Sequence, residues 1–99
     1  LPAQAPPAMT ILWTAKAVGD LTRLHDFLMP ANRRAAARLV RSLVLAAGRL
    51  LDHPRIGENL EHYEPREVRS ILVGPYEIRY EVKGAIIFIL RVWHAREDR

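Results

Sequence analysis

Arginine is the residue type whose placement most strongly suggests chemistry in this 99-residue chain. The β-prone last third of the sequence contains Arg66, Arg69, Arg79, Arg91 and Arg96. A guanidinium group binds carboxylates and phosphates through two parallel hydrogen bonds. If Arg79 and its neighbours share the open face of a sheet, they form a cationic surface that suits either anion. The alternative is pairing with Glu67, Glu77 and Glu81, at about 1 kcal/mol or less for each pair.

Histidines are the other candidates for proton transfer, and the chain has four: His25, His53, His62 and His94. They lie on different predicted elements without the spacing of a metal site, so no metal is expected. The most economical general acid or base for RNA cleavage would be His94, which arginines flank. His62 lies in a predicted loop and could in principle meet His94. No serine lies in a nucleophile motif, and no glycine-rich phosphate loop is present.

The composition fits one ordinary globular domain with a net charge of +4 and a pI near 10.1. Nearly all the basic residues are arginines, which suits an acidic partner or a nucleic acid but is also produced by GC-rich coding. The absence of cysteine excludes disulfides, thiolate chemistry and cysteine-based zinc sites, and it fits a cytoplasmic protein. No apolar run approaches the roughly 20 residues of a membrane span. No cofactor is expected.

The first half of the chain predicts a strand and two helices after a flexible leader of residues 1–8. Residues 9–99 then form the single domain, beginning with a β-prone strand from Met9 to Trp13. Thr14 is a predicted N-cap, and Pro30 ends the first helix. The apolar stripe of this helix is Val18, Leu21, Leu24 and Leu28. Its opposite, solvated face is Lys16, Asp20, Arg23 and Asp26.

The second helix is predicted to begin after the N-cap Asn32 and to run to about His53, before Pro54. Its buried stripe is Ala36, Val40, Leu43, Ala47, Leu50 and Leu51. A neighbouring face carries Arg34, Arg38, Arg41 and Arg49. These arginines form either a solvated face or a docking surface for an acidic partner.

The rest of the chain predicts a polar connector at residues 58–65 and then three strands. From Arg66 the apolar period becomes two, with turns at Gly74-Pro75 and Lys83-Gly84. The middle strand has one apolar face: Tyr76, Ile78, Tyr80 and Val82. Its polar face is Glu77, Arg79, Glu81 and Lys83. The predicted fold is α+β, with an N-terminal strand, an antiparallel helix hairpin and a three-stranded antiparallel meander packed against the helices.

The order of these features resembles the RelE/ParE superfamily of bacterial toxins, including the plasmid stabilisation type. The resemblance spans Met9 to Arg99 and rests on an ordered set of short motifs. These are Leu51-x-x-Pro54-x-x-Gly57, Arg66-Glu67, Tyr76-x-Ile78-x-Tyr80-x-Val82 and the ending Ile89-Leu90-Arg91-Val92-Trp93-His94-Ala95-Arg96-Glu97-Asp98. The resemblance implies a toxin that a cognate antitoxin wraps and neutralises.

The two branches of the superfamily imply different activities. RelE-type members cleave mRNA on the ribosome, and they typically have an arginine after the tyrosine that opens the middle strand and often a functional tyrosine in the C-terminal tail. Here Glu77 occupies the first position, and no tyrosine follows Tyr80. A negative charge works against stabilising a cleaved phosphate. The ending from Leu90 to Asp98 looks more like the ParE branch, whose members poison DNA gyrase.

The resemblance therefore favours a gyrase-directed toxin that acts by protein binding and is not itself an enzyme. The residues expected to bind the target or the antitoxin are Arg66, Arg69, Arg79, Arg91, Trp93, His94 and Arg96. The alternative is a RelE-like endoribonuclease whose catalytic residues are Arg69, Arg79, Arg91 and His94. A third reading is a degenerate toxin that retains antitoxin binding and promoter co-regulation. Apolar surface for an amphipathic antitoxin segment is expected on the open face at Ile87, Ile89 and Trp93.

Overall fold

The structure is a computed structural model that describes residues 8–97. Its helices and strands are β1 (Thr10–Trp13), α1 (Ala15–Leu28), α2 (Arg33–Gly48), β2 (Glu58–Asn59), β3 (Glu67–Val73), β4 (Tyr76–Lys83) and β5 (Ile86–His94). Short 3₁₀ turns span Arg49–Leu51 and Glu61–Tyr63. Residues 1–7 of the predicted leader, and the last two residues of the chain, lie outside the described residues. Neither described helix is long and apolar enough to cross a membrane.

Both helices begin where the sequence predicts, because a polar side chain satisfies a free backbone amide at each start. The Thr14 hydroxyl accepts a hydrogen bond from the backbone N–H of Ala17, and the Asn32 side chain accepts one from that of Ala35. Helix α2 ends at Gly48, earlier than the predicted end near His53, and its last turn tightens into the 3₁₀ turn. Leu51 consequently lies exposed, outside the buried stripe predicted for it.

The five strands form one sheet in the order β1-β5-β4-β3-β2. Strand β1 pairs in parallel with β5, and all other neighbours are antiparallel. The helix hairpin carries the chain from β1 at one edge of the sheet to β2 at the other, and β3, β4 and β5 then return in order until β5 lies beside β1. The predicted α+β fold is confirmed. The meander of β3, β4 and β5 is flanked by β1 at one edge and by β2 at the other. The extra strand β2 lies in the segment predicted as a connector.

The core lies between the helices and one face of the sheet. The middle strand contributes Ile78, Tyr80 and Val82 to this core, as the alternating pattern predicts. Ile87 and Ile89 are fully buried in the same core, so the prediction that they are exposed on the open face is wrong. They are the cross-strand neighbours of Val82 and Tyr80, and cross-strand neighbours share a face.

Helix α1 covers the part of the β5 edge that β1 leaves unpaired. Strand β1 pairs only with Ile86–Ile89, so later backbone groups of β5 need other partners. The Thr14 hydroxyl donates to the carbonyl oxygen of Ile89 at 2.8 Å, and the Asp20 carboxylate accepts from the N–H of Val92 at 2.8 Å. Side chains of α1 thus substitute for a strand at this edge.

The placement of Asp20 on the solvated face of α1 is wrong, because its side chain turns toward β5 and the residue is only 3% exposed. Val18, predicted to be buried, is instead exposed, and Ala17 faces the core one position earlier. Both differences have one cause. Helix α1 packs against the edge of β5 as well as against the core, and that packing rotates the buried face.

Candidate functional site

The open face of the sheet carries alternating cationic and aromatic side chains, which we call the open-face ladder: Arg66, Tyr63, Arg79, Trp93 and Arg91. The guanidinium carbon of Arg79 lies 4.7 Å from the ring centre of Trp93 and 5.7 Å from that of Tyr63. The guanidinium carbon of Arg91 lies 5.0 Å from the same ring centre of Trp93. Stacking of this kind holds both partners by cation–π attraction.

An irregularity between β4 and β5 places Arg91 in the ladder. Arg79 is the cross-strand neighbour of Arg91, whereas the next residue, Tyr80, neighbours Ile89. Leu90 is therefore an extra residue in β5, which shifts the alternation of its side chains. Ile89 faces the core, and Arg91, two residues later, faces the opposite side. Without the bulge, Arg91 would share a face with Ile89.

The ladder borders a groove of about 440 Å³ at the start of α1. The groove is also lined by Thr14, Ala15, Lys16 and Leu90. Its tyrosine, Tyr63, comes from the 3₁₀ turn before β3, and sequence reasoning did not include it in the site. The available signal was an aromatic residue in a mostly polar connector. Arg66, Arg79, Arg91 and Trp93, which the sequence predicted as binding residues, are brought together here.

Each arginine of the ladder has a carboxylate partner. Arg66 pairs with Glu81 at 2.9 Å, Arg79 with Glu77 at 2.9 Å, and Arg91 with Asp20 at 2.8 Å. The hydrogen bond from Arg66 lowers the pKa of Glu81 below its usual value. The sequence offered two hypotheses for the sheet arginines, a cationic open face and pairing with glutamates. Both apply to Arg79, which lies on the open face and is paired with Glu77.

Arg79 is the most restrained member of the ladder. One terminal nitrogen donates to the Tyr63 hydroxyl at 2.9 Å, and the other donates to Glu77 at 2.9 Å. Its Nε atom is buried and has no hydrogen-bond partner among the described residues. Glu77 and Trp93 are each 8% exposed. The guanidinium is therefore held in one orientation before any partner arrives, which reduces the entropy cost of binding.

Arg69 lies on the opposite face of the sheet from the ladder. It is the cross-strand neighbour of Tyr80, whose ring lies in the core. Its guanidinium donates to Glu67 at 2.8 Å and to the carbonyl oxygen of Gly57 at 2.8 Å. The Tyr80 hydroxyl accepts from the N–H of Gly57 at 3.0 Å and donates to the carbonyl oxygen of Pro54 at 2.9 Å. Arg69 thus joins a cluster that holds the Pro54–Gly57 turn against the sheet.

His94 and Arg96 line a second cavity, of about 520 Å³, between α1 and the end of the sheet. The ring of His94 lies edge-on to Tyr76, with 5.1 Å between ring centres, and its Nδ1 accepts from the backbone N–H of Arg96. The ring of His62 instead contacts that of Tyr63, at a tilt of 42° and with 4.4 Å between ring centres. The structure therefore separates His94 from the ladder and from His62. No group of three or more potential metal ligands occurs within residues 8–97.

Comparison with known proteins identifies the family. The model of the ParE toxin of the type II toxin-antitoxin system, parDE, matches residues 11–99. The chain belongs to the ParE toxin family. The expected membership of the RelE/ParE superfamily is thereby confirmed, and the chain is a toxin of type II toxin-antitoxin systems.

Individual members of the superfamily resemble this ParE-family chain along most of its length. Toxin RelE2 of Caulobacter vibrioides is 35% identical over 85 residues, which cover 86% of this chain and 93% of that toxin. Toxin RelE1 of the same organism is 36% identical over 92 residues, or 91% of this chain and 97% of that toxin. Its relatives thus include toxins named for the RelE branch.

Solved structures show the same architecture. A chain from the chromosomal ParDE system of P. aeruginosa superposes with a TM-score of 0.74 at 27% identity, covering 88% of this chain and 96% of that chain. A chain of the RelBE2 toxin-antitoxin complex from Mycobacterium tuberculosis gives a TM-score of 0.61 at 28% identity, covering 89% and 99%.

Proposed function

We propose that this ParE-family chain poisons DNA gyrase by binding it, and that a cognate antitoxin neutralises it by direct contact. The observation that carries this proposal is the pairing of every ladder arginine with a carboxylate, in a groove where no histidine lies. Paired, stacked arginines with two aromatic rings are typical of a protein-binding surface. The match to the ParE model supports the same branch.

The separation of the predicted catalytic residues also supports binding over cleavage. RNA cleavage needs positive charge at the reacting phosphate and a group that transfers a proton. Arg69 lies on the other face of the sheet, and His94 lies in the second cavity. The Glu77 carboxylate lies against Arg79, where it offsets the charge that a phosphate would require.

The second candidate is a ribosome-dependent endoribonuclease of the RelE type. Two observations favour it: the RelE names of the Caulobacter relatives, and the Tyr63 hydroxyl, which lies 2.9 Å from Arg79 in the groove. A tyrosine beside an arginine provides a proton donor next to a phosphate-binding group. On this alternative, Tyr63 would take the role first assigned to His94.

The test uses purified toxin, separated from its antitoxin and refolded, in two assays. We expect it to trap gyrase in cleaved-DNA complexes and to leave mRNA intact in a translating extract. Arg66→Ala should weaken the gyrase effect by about tenfold, as is typical for a truncated interface arginine. The matched control is Arg55→Ala, since Arg55 is also an exposed arginine paired with a glutamate but lies outside the ladder.

Translation-dependent mRNA cleavage without any effect on gyrase would overturn the gyrase proposal. In that case Tyr63→Phe should abolish cleavage without unfolding the protein. For the antitoxin, we expect the toxin alone to arrest growth and the neighbouring antitoxin gene to rescue it. Normal growth with high yield of folded toxin alone would contradict this expectation.

A further inference from the structure

The net positive charge of the described chain lies on one segment, α2 with its following 3₁₀ turn. Residues 33–51 contain five arginines and no carboxylate. The remaining described residues contain nine lysines and arginines against ten aspartates and glutamates, a net charge of −1. The basic character of the molecule is therefore not spread over its surface.

Four of these arginines form a line along the exposed side of α2 and the start of its following 3₁₀ turn, which we call the arginine stripe: Arg34, Arg38, Arg41 and Arg49. Successive members are one or two helical turns apart, so they share a face over about 22 Å. All four are exposed, and no ion pair to them occurs among residues 8–97. The ladder arginines, by contrast, are all paired.

Helix stability does not account for the arginine stripe. Arg33 and Arg34 occupy the first turn of α2, where the helix dipole disfavours positive charge, and the first turn has no acidic residue. Like charges at Arg34 and Arg38, one turn apart, also repel each other by a few tenths of a kcal/mol. Both contributions to the free energy of α2 are small, but both are destabilising. They would not be expected of arginines whose only role is to give the helix a polar, solvated face.

We propose that the arginine stripe binds the phosphate backbone of duplex DNA. Binding to a phosphate backbone depends on exposed guanidinium groups that are free of carboxylate partners, and it does not depend on apolar contacts. The core of a protein interface contains several apolar or aromatic side chains, whereas the stripe offers a single one, Leu45, which is 63% exposed. Single strands are bound by stacking on aromatic rings, and α2 contains none.

Duplex DNA is preferred over duplex RNA because of groove width. The major groove of B-form DNA is about 12 Å wide and admits a helix, whereas that of A-form RNA is deep and narrow. Arginines on the outer side of α2 therefore reach phosphates on both rims of a DNA groove. The proposal does not rest on the gyrase proposal, because the arginine stripe and the open-face ladder lie on opposite sides of the sheet.

The test measures binding of the purified toxin to a fluorescent 20-base-pair duplex of arbitrary sequence at increasing salt. Four phosphate contacts predict that affinity falls by about 150-fold between 50 and 200 mM salt. The double variant Arg38→Ala/Arg41→Ala should bind more weakly at 50 mM salt, with a fall of only about 12-fold over the same range. The control, Arg55→Ala/Lys83→Ala, removes the same charge away from the stripe and should behave as wild type.

Three results would overturn the proposal. The first is no binding to the duplex at 50 mM salt, with circular dichroism showing a folded protein. The second is an equal loss in the stripe variant and the control, which would indicate attraction by total charge alone. The third is equal or tighter binding to the matching single strand, a duplex RNA or polyglutamate, which would indicate a different partner for the stripe.

Discussion

Replacing Asp20 should destabilise the protein more than any other change of a charged residue in α1. Its carboxylate accepts from Arg91 at 2.8 Å and 3.1 Å, from the N–H of Val92 at 2.8 Å and from Arg23. Asp20→Ala leaves the Val92 N–H unsatisfied and Arg91 without its carboxylate partner, whereas Arg23 keeps its ion pair with Glu97. Removal of one member of a buried ion pair costs about 3 to 5 kcal/mol.

The partial exposure of Arg91 and Arg23 places the expected loss of stability at the lower end of that range. The Arg91 and Arg23 side chains are 37% and 43% exposed, so water can replace part of what they lose. We therefore expect a loss of about 3 kcal/mol for Asp20→Ala. Asp20→Asn keeps one acceptor for the Val92 N–H and should cost about 2 kcal/mol. The control is Asp26→Asn, an exposed aspartate of the same helix, which should change stability by less than about 0.5 kcal/mol.

The pH dependence of the Asp20→Asn effect follows from the pKa of Asp20. Burial raises this pKa, but hydrogen bonds from Arg91, Val92 and Arg23 outweigh burial and lower it in the folded state. The stabilisation is therefore complete above the unfolded pKa of about 3.9 and is lost as the pH falls through the lower folded value. Urea unfolding, followed by tryptophan fluorescence from pH 7 to pH 2, measures the difference between wild type and Asp20→Asn.

We expect this difference to be constant down to about pH 5 and to shrink below about pH 4, as the wild-type carboxyl becomes protonated and resembles an amide. A difference that persists unchanged at pH 2, or one below about 1 kcal/mol at pH 7, would refute the reasoning. Either result would mean that the carboxylate charge does not hold α1 against the edge of β5.

Two further predictions concern the Pro54–Gly57 turn. In Gly57→Ala the new Cβ would lie 2.7 Å from the Tyr80 hydroxyl oxygen and 2.8 Å from the carbonyl oxygen of Ser70, so we expect a loss of about 1 to 3 kcal/mol in urea unfolding. An unchanged midpoint would show that the turn can move away. Tyr80→Phe removes one hydrogen bond to Gly57 and one to Pro54 and should cost about 1 to 3 kcal/mol. If thermal unfolding detects no loss, water has replaced both bonds.

The sequence predicts the fold well because local patterns determine most of its elements. Caps at Thr14 and Asn32 define where the helices begin, and the period of two in β4 defines its buried face. The burial of Asp20 could not be predicted from such local patterns. Its burial depends on the length difference between β1 and β5, which only tertiary pairing determines.

The candidate site is less predictable because its geometry depends on a bulge and on a loop. The run from Ala85 to Trp93 is apolar at nearly every position, so its alternation gives no sign of the extra residue Leu90. Tyr63 reaches the ladder from a 3₁₀ turn that has no periodic pattern. Residue types therefore indicated four of the five ladder members, whereas their shared face and the fifth member required the structure.

The ion pairs explain why arginines of one chain differ in what they can bind. Two pairs are local, because Glu67 with Arg69 and Glu77 with Arg79 are two residues apart on a strand and so share a face. Such pairs can be predicted from sequence. By the same local argument, α2 has no carboxylate within reach along its own helix, so its arginines lack a local partner. The number of arginines is therefore a poor guide to anion binding, and the spacing of carboxylates around each arginine is a better one.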